Sequence, residues 1–363
     1  MTAKKSMQRA MPRRELLRRG GLGALTWAAA PALVRRVARA EATEINVATV
    51  GGVITDGLRR IFGEPFTKET GIKVNFGSGT SLALAKLQAS TNPAQWDIIN
   101  LSGAEEQLAI RDKLIVPYDY SIVDSSRMPT GYREPYGVKY SAFMFAMAWD
   151  RRKIPDDKAP KTWAEFWDTK RYPGKRSLDA NISDGSIMEA ALLADGVALD
   201  KLYPLDVERA LKSLERLGRP NIIWYNANQE PIQQMISGEV ALSSAFHGRV
   251  VVANRSGAQL GFTPAYSAVS GNYMCVTPTS AHKKEAFQFL SFLLSNTTAD
   301  VEYIKLTTYA MPNTETVPLL PKDIADILPT NPAYKDKVFF KDDSWWAANL
   351  EKTLQRFKEW QIG

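Results

Sequence analysis

The sequence predicts an α/β protein of two domains, and three observations carry that expectation. Residues 44–103 run strand, helix, strand, helix, strand, which is the order of a parallel α/β unit. The body of about 320 residues exceeds what one core of usual size holds, so two domains are the default. Hydrophobic residues make up 45% of the chain, enough for a substantial interior.

The elements follow in order. EINVAT (44–49) alternates and is rich in β-branched residues, and Gly51-Gly52 breaks it; this is a strand feeding a turn. From 55 to 69, Leu58, Ile61, Phe62 and Phe66 share one helical face. GIKVNFG (71–77) is a second strand. In GSGTS, Thr80 or Ser81 can cap a helix running through Leu82, Leu84 and Leu87, and WDIINLSG (96–103) is a third strand. Ligands of such a unit sit at the carboxyl ends of its strands, which places Gly51, residues 77–81 and Ser102-Gly103 around one mouth. YGVKYSAFMFAMAW (136–149) has no helical stripe and reads as two extended segments. TWAEFWDTKRYPGKRSL (162–178) then opens a new unit with a short helix, a Pro-Gly turn and a strand. Helices are expected at 205–217 and 231–237, a strand at 238–246, extended chain at 260–278, an amphipathic helix in KKEAFQFLSFLLSN, and two more helices near 321–328 and 344–360. Neither an internal repeat nor a low-complexity tract is present.

The net charge of +7 is confined to the amino terminus. Residues 1–42 hold ten Lys/Arg against Glu15 and Glu41, and the remainder carries 36 basic and 37 acidic residues. The body therefore has no electrostatic footprint for nucleic acid. The leader combines a basic start, the apolar run GGLGALTWAAAPALV and small residues at 38–40 or 40–42 suited to a peptidase. That is a secretory signal, too short and too weakly apolar to span a bilayer. Arg13-Arg14 followed by Leu16-Leu17 resembles the twin-arginine export motif. An ordinary Sec signal is the alternative, disfavoured by the weak hydrophobicity and by Arg35, Arg36 and Arg39 after the apolar run. Residues 1–42 are thus expected to be a cleaved export signal. Cys275 is the single cysteine, so neither an internal disulfide nor a lipid-modified cysteine after the signal is available. The mature chain is expected to be soluble in the periplasm.

Catalytic chemistry finds little support. Two histidines 35 residues apart and one cysteine offer no metal-ligand cluster. Cys275 lies in the alternating stretch NYMCVTP, where a buried thiol is expected. G-x-S-x-G and P-loop motifs are both missing. GSGTS before a helix can bind an anionic group through backbone N–H donors, but more often it is only a turn.

Five stretches together resemble the periplasmic solute-binding proteins of ABC importers, family 1, and their spermidine/putrescine-binding branch. These are PFTKETGIKV (65–74), WDIINLSG, TWAEFWDTKRYPGKRSL with its Trp163, Phe166, Trp167 and Pro-Gly-Lys turn, ISGEVALSSAFHGR (236–249), and HKKEAFQFLSFLLS (282–295) followed by TTYAMPNTE. The resemblance implies a two-lobed periplasmic binding protein fold of type II, each lobe a mixed sheet flanked by helices, joined by hinge strands. Lobe 1 would comprise 43–148 with 270–312, and lobe 2 would comprise 149–269 with 313–363. It implies a non-enzymatic monomer without cofactor or metal, which captures a small polar solute between the lobes and presents it to the permease subunits.

Carried over residue by residue, the resemblance implies solute contacts at Ser102 and Tyr309, with Trp346 of the Trp345-Trp346 pair as a further candidate; Ser81 is a candidate from its place at the strand-end mouth. An acidic residue that grips an ammonium in polyamine binders corresponds to Asn272, an acidic pair to the neighbourhood of Ser183, Asp184 and Ser186, and a cleft tryptophan to Phe246. A buried polycation needs compensating carboxylates, and here at most Asp184 remains. Arg249 in SSAFHGR brings a planar fork suited to a carboxylate or phosphate; its alternative is a surface salt bridge. The family implies putrescine, spermidine or a related amine, whereas these departures point to a zwitterionic or anionic solute such as an amino acid, organic acid or phosphonate. SSAFHGR itself reads as a strand end with Ser244, Phe246 and His247 at the cleft rim and Gly248 turning the chain before Arg249.

Overall fold

A computed structural model describes residues 43–128, 132–334 and 336–363; the expected export signal lies outside them. The first strand, β1 (Glu44–Thr49), buries Ile45 and Val47. α1 (Gly52–Gly57), a π-helical segment (Leu58–Gly63) and α2 (Glu64–Thr70) run on directly, and the apolar face Leu58, Ile61, Phe62 and Phe66 is buried. β2 (Lys73–Ser78), α3 (Leu82–Ser90), β3 (Ile98–Ser102) and α4 (Gly103–Arg111) complete the first unit. The segment 136–149, expected as two pieces, is one long strand, β4 (Lys139–Asp150).

The second unit comprises α5 (Trp163–Trp167), β5 (Arg176–Asp179), α6 (Ile187–Ala194), α7 (Val207–Leu217), β6 (Ile222–Tyr225), α8 (Glu230–Ile236), β7 (Leu242–Phe246) and α9 (His247–Arg255). β8 (Leu260–Val276) returns through the sheet, and α10 (Lys283–Ser295), α11 (Thr297–Thr307), α12 (Lys322–Ala325), β9 (Phe339–Phe340) and α13 (Asp343–Ile362) follow. Among the described residues, no helix is long and apolar enough to cross a membrane.

The strands form one connected sheet in the order β2-β1-β3-β8-β4-β7-β5-β6, with β9 on β8. Parallel triplets flank an antiparallel centre: β1 pairs parallel with β2 and β3, and β5 with β6 and β7, while β4 and β8 pair antiparallel. The expected separate sheets of two lobes are therefore continuous through the two long strands. What divides the halves is the core. Tyr140, Ala142 and Met144 of β4 and Val269 of β8 pack with Phe62, Phe66 and Phe289. Phe145, Met147 and Ala268 pack instead with Trp163, Phe166 and Leu178. The change falls between two adjacent cross-strand pairs, Met144↔Val269 and Phe145↔Ala268. Directly beyond, Met147 pairs with Thr263, so Pro264 to Ser267 stand out of the ladder as a bulge, a device that bends and twists a strand.

The carboxyl-terminal stretch divides in a way its position after Asn313 did not suggest. Leu320, Leu328 and Val338 pack in the first core, and only from Phe339 and Trp346 onward does the chain join the second. Apolar side chains decide this: the turns between Val317 and Tyr334 offer Leu320 and Leu328 to the α10 and α11 face, whereas α13 carries Trp346, Phe357 and Trp360 to the other side.

Candidate functional site

A cavity of about 490 Å³ opens where the two halves meet. It lies at the carboxyl ends of the strands, as parallel α/β units dictate. β1 delivers Val50, Gly51 and Gly52, β3 delivers Ser102, and β7 delivers Phe246; Asp184 and Asn228 lie on the chain after β5 and β6. The long strands contribute Phe143, Ser270, Gly271 and Asn272, and Tyr309 reaches in from the chain after α11. Gly51 and Gly52 both hold positive φ, 85° and 58°, a region few other residues adopt cheaply, and this turns the chain straight from β1 into α1 at the mouth. The first turn of α1 lines the same space through Gly52, Val53 and Ile54, and its backbone N–H groups add a positive potential there.

The polar side chains are few. Arg249, in the first turn of α9, is exposed; it lines both this cavity and a neighbouring groove beside Gln233 and Val252, and makes no ion pair with any described residue. The Tyr309 phenol, pushed up by burial, is pulled down by the Arg249 guanidinium beside it. Asp184 is exposed as well and is likewise free of ion pairs among the described residues; its Oδ2 accepts from Asn181 Nδ2 at 2.9 Å. Phe143, Phe246 and Tyr309 make an aromatic wall, with Phe143 5.4 Å from Phe246 and 5.5 Å from Tyr309 between ring centroids. Ser102, Ser270 and Asn272 are neutral hydrogen-bonding groups, Ser102 opposite Asn272 across the β3–β8 ladder.

Of the nine residues singled out in the sequence, the structure brings six together in this cavity: Ser102, Asp184, Phe246, Arg249, Asn272 and Tyr309. Three stand elsewhere. Ser81 is the N-cap of α3, its Oγ accepting from Leu84 N–H at 3.0 Å. Trp346 is fully buried in the second core and donates from Nε1 to Glu189 Oε1 at 2.7 Å. His247 is also fully buried rather than at the rim, because β7 ends at Phe246 and α9 begins at His247 itself. Its Nδ1 accepts from Met144 N–H at 3.0 Å, and Nε2–H donates to Thr308 C=O at 2.9 Å. Both ring nitrogens are thus spent in the neutral tautomer, and burial holds the imidazole down to about 4. His247 clasps β4 where the core changes and ties it to the chain entering Tyr309.

Gly248 does not turn the chain; it lies inside α9. What it supplies is room, since a Cβ there would sit 2.5 Å from Tyr309 Cε1. Gly248→Ala is therefore expected to push the Tyr309 ring off the cavity wall and to cost about 1–3 kcal/mol of stability, the usual range for overpacking. Thermal unfolding of the variant measures this, and an unchanged midpoint would mean the ring has space to retreat.

Sequence reasoning did not single out Phe143, Asn228, Ser270 or Gly271. Phe143 and Ser270 are cross-strand partners and needed the β4–β8 register; Asn228 follows β6, a strand too short to stand out in the sequence. Among the described residues, no group of three His, Cys, Asp or Glu could hold a metal ion. Cys275 is buried, which pushes its thiol up and keeps it protonated.

A cavity at the strand ends between two halves joined by a few crossings is the architecture of a solute-binding protein. The chain belongs to the bacterial extracellular solute-binding protein family, whose pattern residues 62–337 match. It is 29% identical to the gamma-aminobutyric acid-binding protein of Pseudomonas aeruginosa over 330 residues, 89% of this chain and 92% of that one. It is 24% identical to spermidine/putrescine-binding periplasmic protein 1 of Haemophilus influenzae, covering 85% of this chain and 84% of that one. The solved structure of the Atu4243-GABA receptor superposes with a TM-score of 0.79 at 28% identity, covering 88% of this chain and 98% of that one.

Proposed function

We propose that this protein captures a small zwitterion of the ω-amino acid class, with γ-aminobutyric acid as the representative ligand, and delivers it to the permease subunits of an ABC importer. The observation that carries this reading is the charge inventory of the cavity: one guanidinium, Arg249, and one carboxylate, Asp184, neither engaged in an ion pair among the described residues. Arg249 and the N-terminal turn of α9 suit a carboxylate. Asp184 with the Phe143, Phe246 and Tyr309 wall suits an ammonium on a short methylene chain. A putrescine-like dication would meet a single carboxylate and an arginine of its own sign, since Asn272 is neutral; two relatives' names support the two alternatives, and the lining favours the zwitterion. The halves, 43–144 with 269–338 and 145–268 with 339–363, would close on the solute by bending at the Met144↔Val269 and Phe145↔Ala268 pairs. In this reading residues 1–42 are a twin-arginine export signal and the mature protein works in the periplasm as a monomer without catalysis.

Ligand-induced thermal shift tests it directly. At a hundredfold excess over Kd a ligand adds about 2.7 kcal/mol to native stability, so γ-aminobutyric acid is expected to raise the midpoint by several degrees while putrescine and spermidine do not. Stabilisation by the polyamines alone would overturn the assignment.

A further inference from the structure

Behind the cavity a short segment of the carboxyl-terminal stretch touches three places, and at each of them the neighbouring residue lines the cavity. β9 pairs with β8 at Ala268 and Val269, and Lys341 N–H donates to Val269 C=O at 3.2 Å; Ser270 comes next in the chain. Asp343 lies on the first turn of α4 so closely that a Cβ on Gly103 would be 2.0 Å from its Oδ2; Ser102 comes just before. Lys341 Nζ donates to Ser183 Oγ at 3.3 Å; Asp184 comes next. Trp346, one turn further on, is held by Glu189 of α6, the helix that follows the Asp184 loop.

Lys341 and Asp343 of this segment are buried, and Asp343 is short of partners. Asp343 is 8% exposed, its Oδ1 has no hydrogen-bond partner among the described residues, and Lys139 Nζ, itself on a residue 3% exposed, stands 3.8 Å from Oδ2, beyond hydrogen-bonding distance. Burial pushes the Asp343 carboxyl up, while Lys139 and Lys341 pull it down and Glu134 pushes with burial. Gln107 of α4 accepts from Ser344 Oγ at 3.1 Å.

We propose that residues 339–346 form a strap across the back of the hinge, and that Asp343 is its positioning residue: seated behind Ser102 while Lys341 holds Ser183, it anchors the segment that ties that wall of the cavity to the Asp184 wall, so solute affinity depends on a side chain that never touches the solute. The affinity arm of the test rests on the zwitterion reading above; the exchange arm does not. Coupling between a site and a distant element commonly amounts to a 5- to 150-fold change, and Asp343→Asn is expected to weaken γ-aminobutyric acid binding about tenfold by calorimetry, at a temperature where the variant is fully folded. Gly103→Ala, which collides with the carboxylate, is expected to weaken it as well, and adding Asp343→Ala should relieve that collision, so the double variant binds no worse than Asp343→Ala alone, a non-additivity expected only of groups in contact. In the protein without solute, Asp343→Asn should speed backbone hydrogen exchange at 102–105 and at 183–187 together. If the variants lower the melting temperature yet leave both affinity and exchange at 183–187 as in the wild type, the segment is packing only and the proposal falls. If γ-aminobutyric acid fails to bind the wild type, the zwitterion reading falls, and the exchange measurement still decides the strap.

Discussion

Arg249→Met raises the Kd for γ-aminobutyric acid by about thirtyfold or more, because truncating one partner of a desolvated charge pair costs roughly 2–5 kcal/mol. The substitution keeps the aliphatic stem and removes only the charge and its fork of donors. Arg249 is exposed and engaged in no ion pair among the described residues, so the fold should be indifferent, with the melting temperature of the solute-free variant staying near that of the wild type. Calorimetric titration separates the two effects. Retained affinity would place the carboxylate elsewhere, at the first turns of α1 or α4, and return Arg249 to the role of a surface cation. Asp184→Asn is the paired control: it should weaken the zwitterion while sparing a carboxylate that lacks the ammonium.

His247 gives the second large effect, on stability rather than on binding. In the unfolded chain its imidazole titrates near the ordinary value of about 6.5, and in the folded protein burial holds it down to about 4. Between those values the unfolded state takes up a proton that the folded state refuses, so stability is fully present above about 6.5 and falls as the medium is acidified toward 4, by about 3 kcal/mol. Buried acids slope the other way: Glu106 is raised to about 8, and Asp179 and Asp300 to about 7, mainly by burial. Their folded forms keep protons that the unfolded chain releases, so their contribution fades as pH rises. A single pH profile would mix these slopes, and the difference between wild type and His247→Gln isolates the histidine. Glutamine offers a neutral acceptor and donor of similar reach, so the difference should be constant above pH 7 and shrink steadily below 6.5. A difference that stays flat from pH 7 to 4 would mean that the imidazole takes up its proton in the fold as readily as in the unfolded chain, and that the clasp between Met144 and Thr308 is built otherwise.

Much of the architecture was legible because local pattern and tertiary demand agree. The strand Glu44–Thr49, the buried face of Leu58, Ile61, Phe62 and Phe66, and the amphipathic α10 all carry periodicities that no competing structure satisfies. Six cavity residues were legible for a different reason, the fixed relation between strand ends and ligand sites together with the resemblance to known binding proteins. The three residues that stand outside the cavity turn on which way a side chain faces, which the strand and helix pattern does not specify. His247 is polar and next to a cavity residue, yet where a turn at Gly248 was expected a helix begins at His247 itself and carries it into the interior. Trp346 follows its neighbour Trp345 in sequence but leans across to Glu189 of α6. Ser81 had two uses open to it, and the nearest unsatisfied backbone donor, Leu84 N–H, takes it.

The unbroken sheet has a bearing on what each half can be by itself. β4 and β8 are shared property: each gives one end to the first core and the other end to the second, and the cavity's side chains come from segments scattered between Val50 and Tyr309. Neither half is a portable module. A cut that spares one core strips the other of its central strands, and the two must be synthesised, folded and inherited as a single unit.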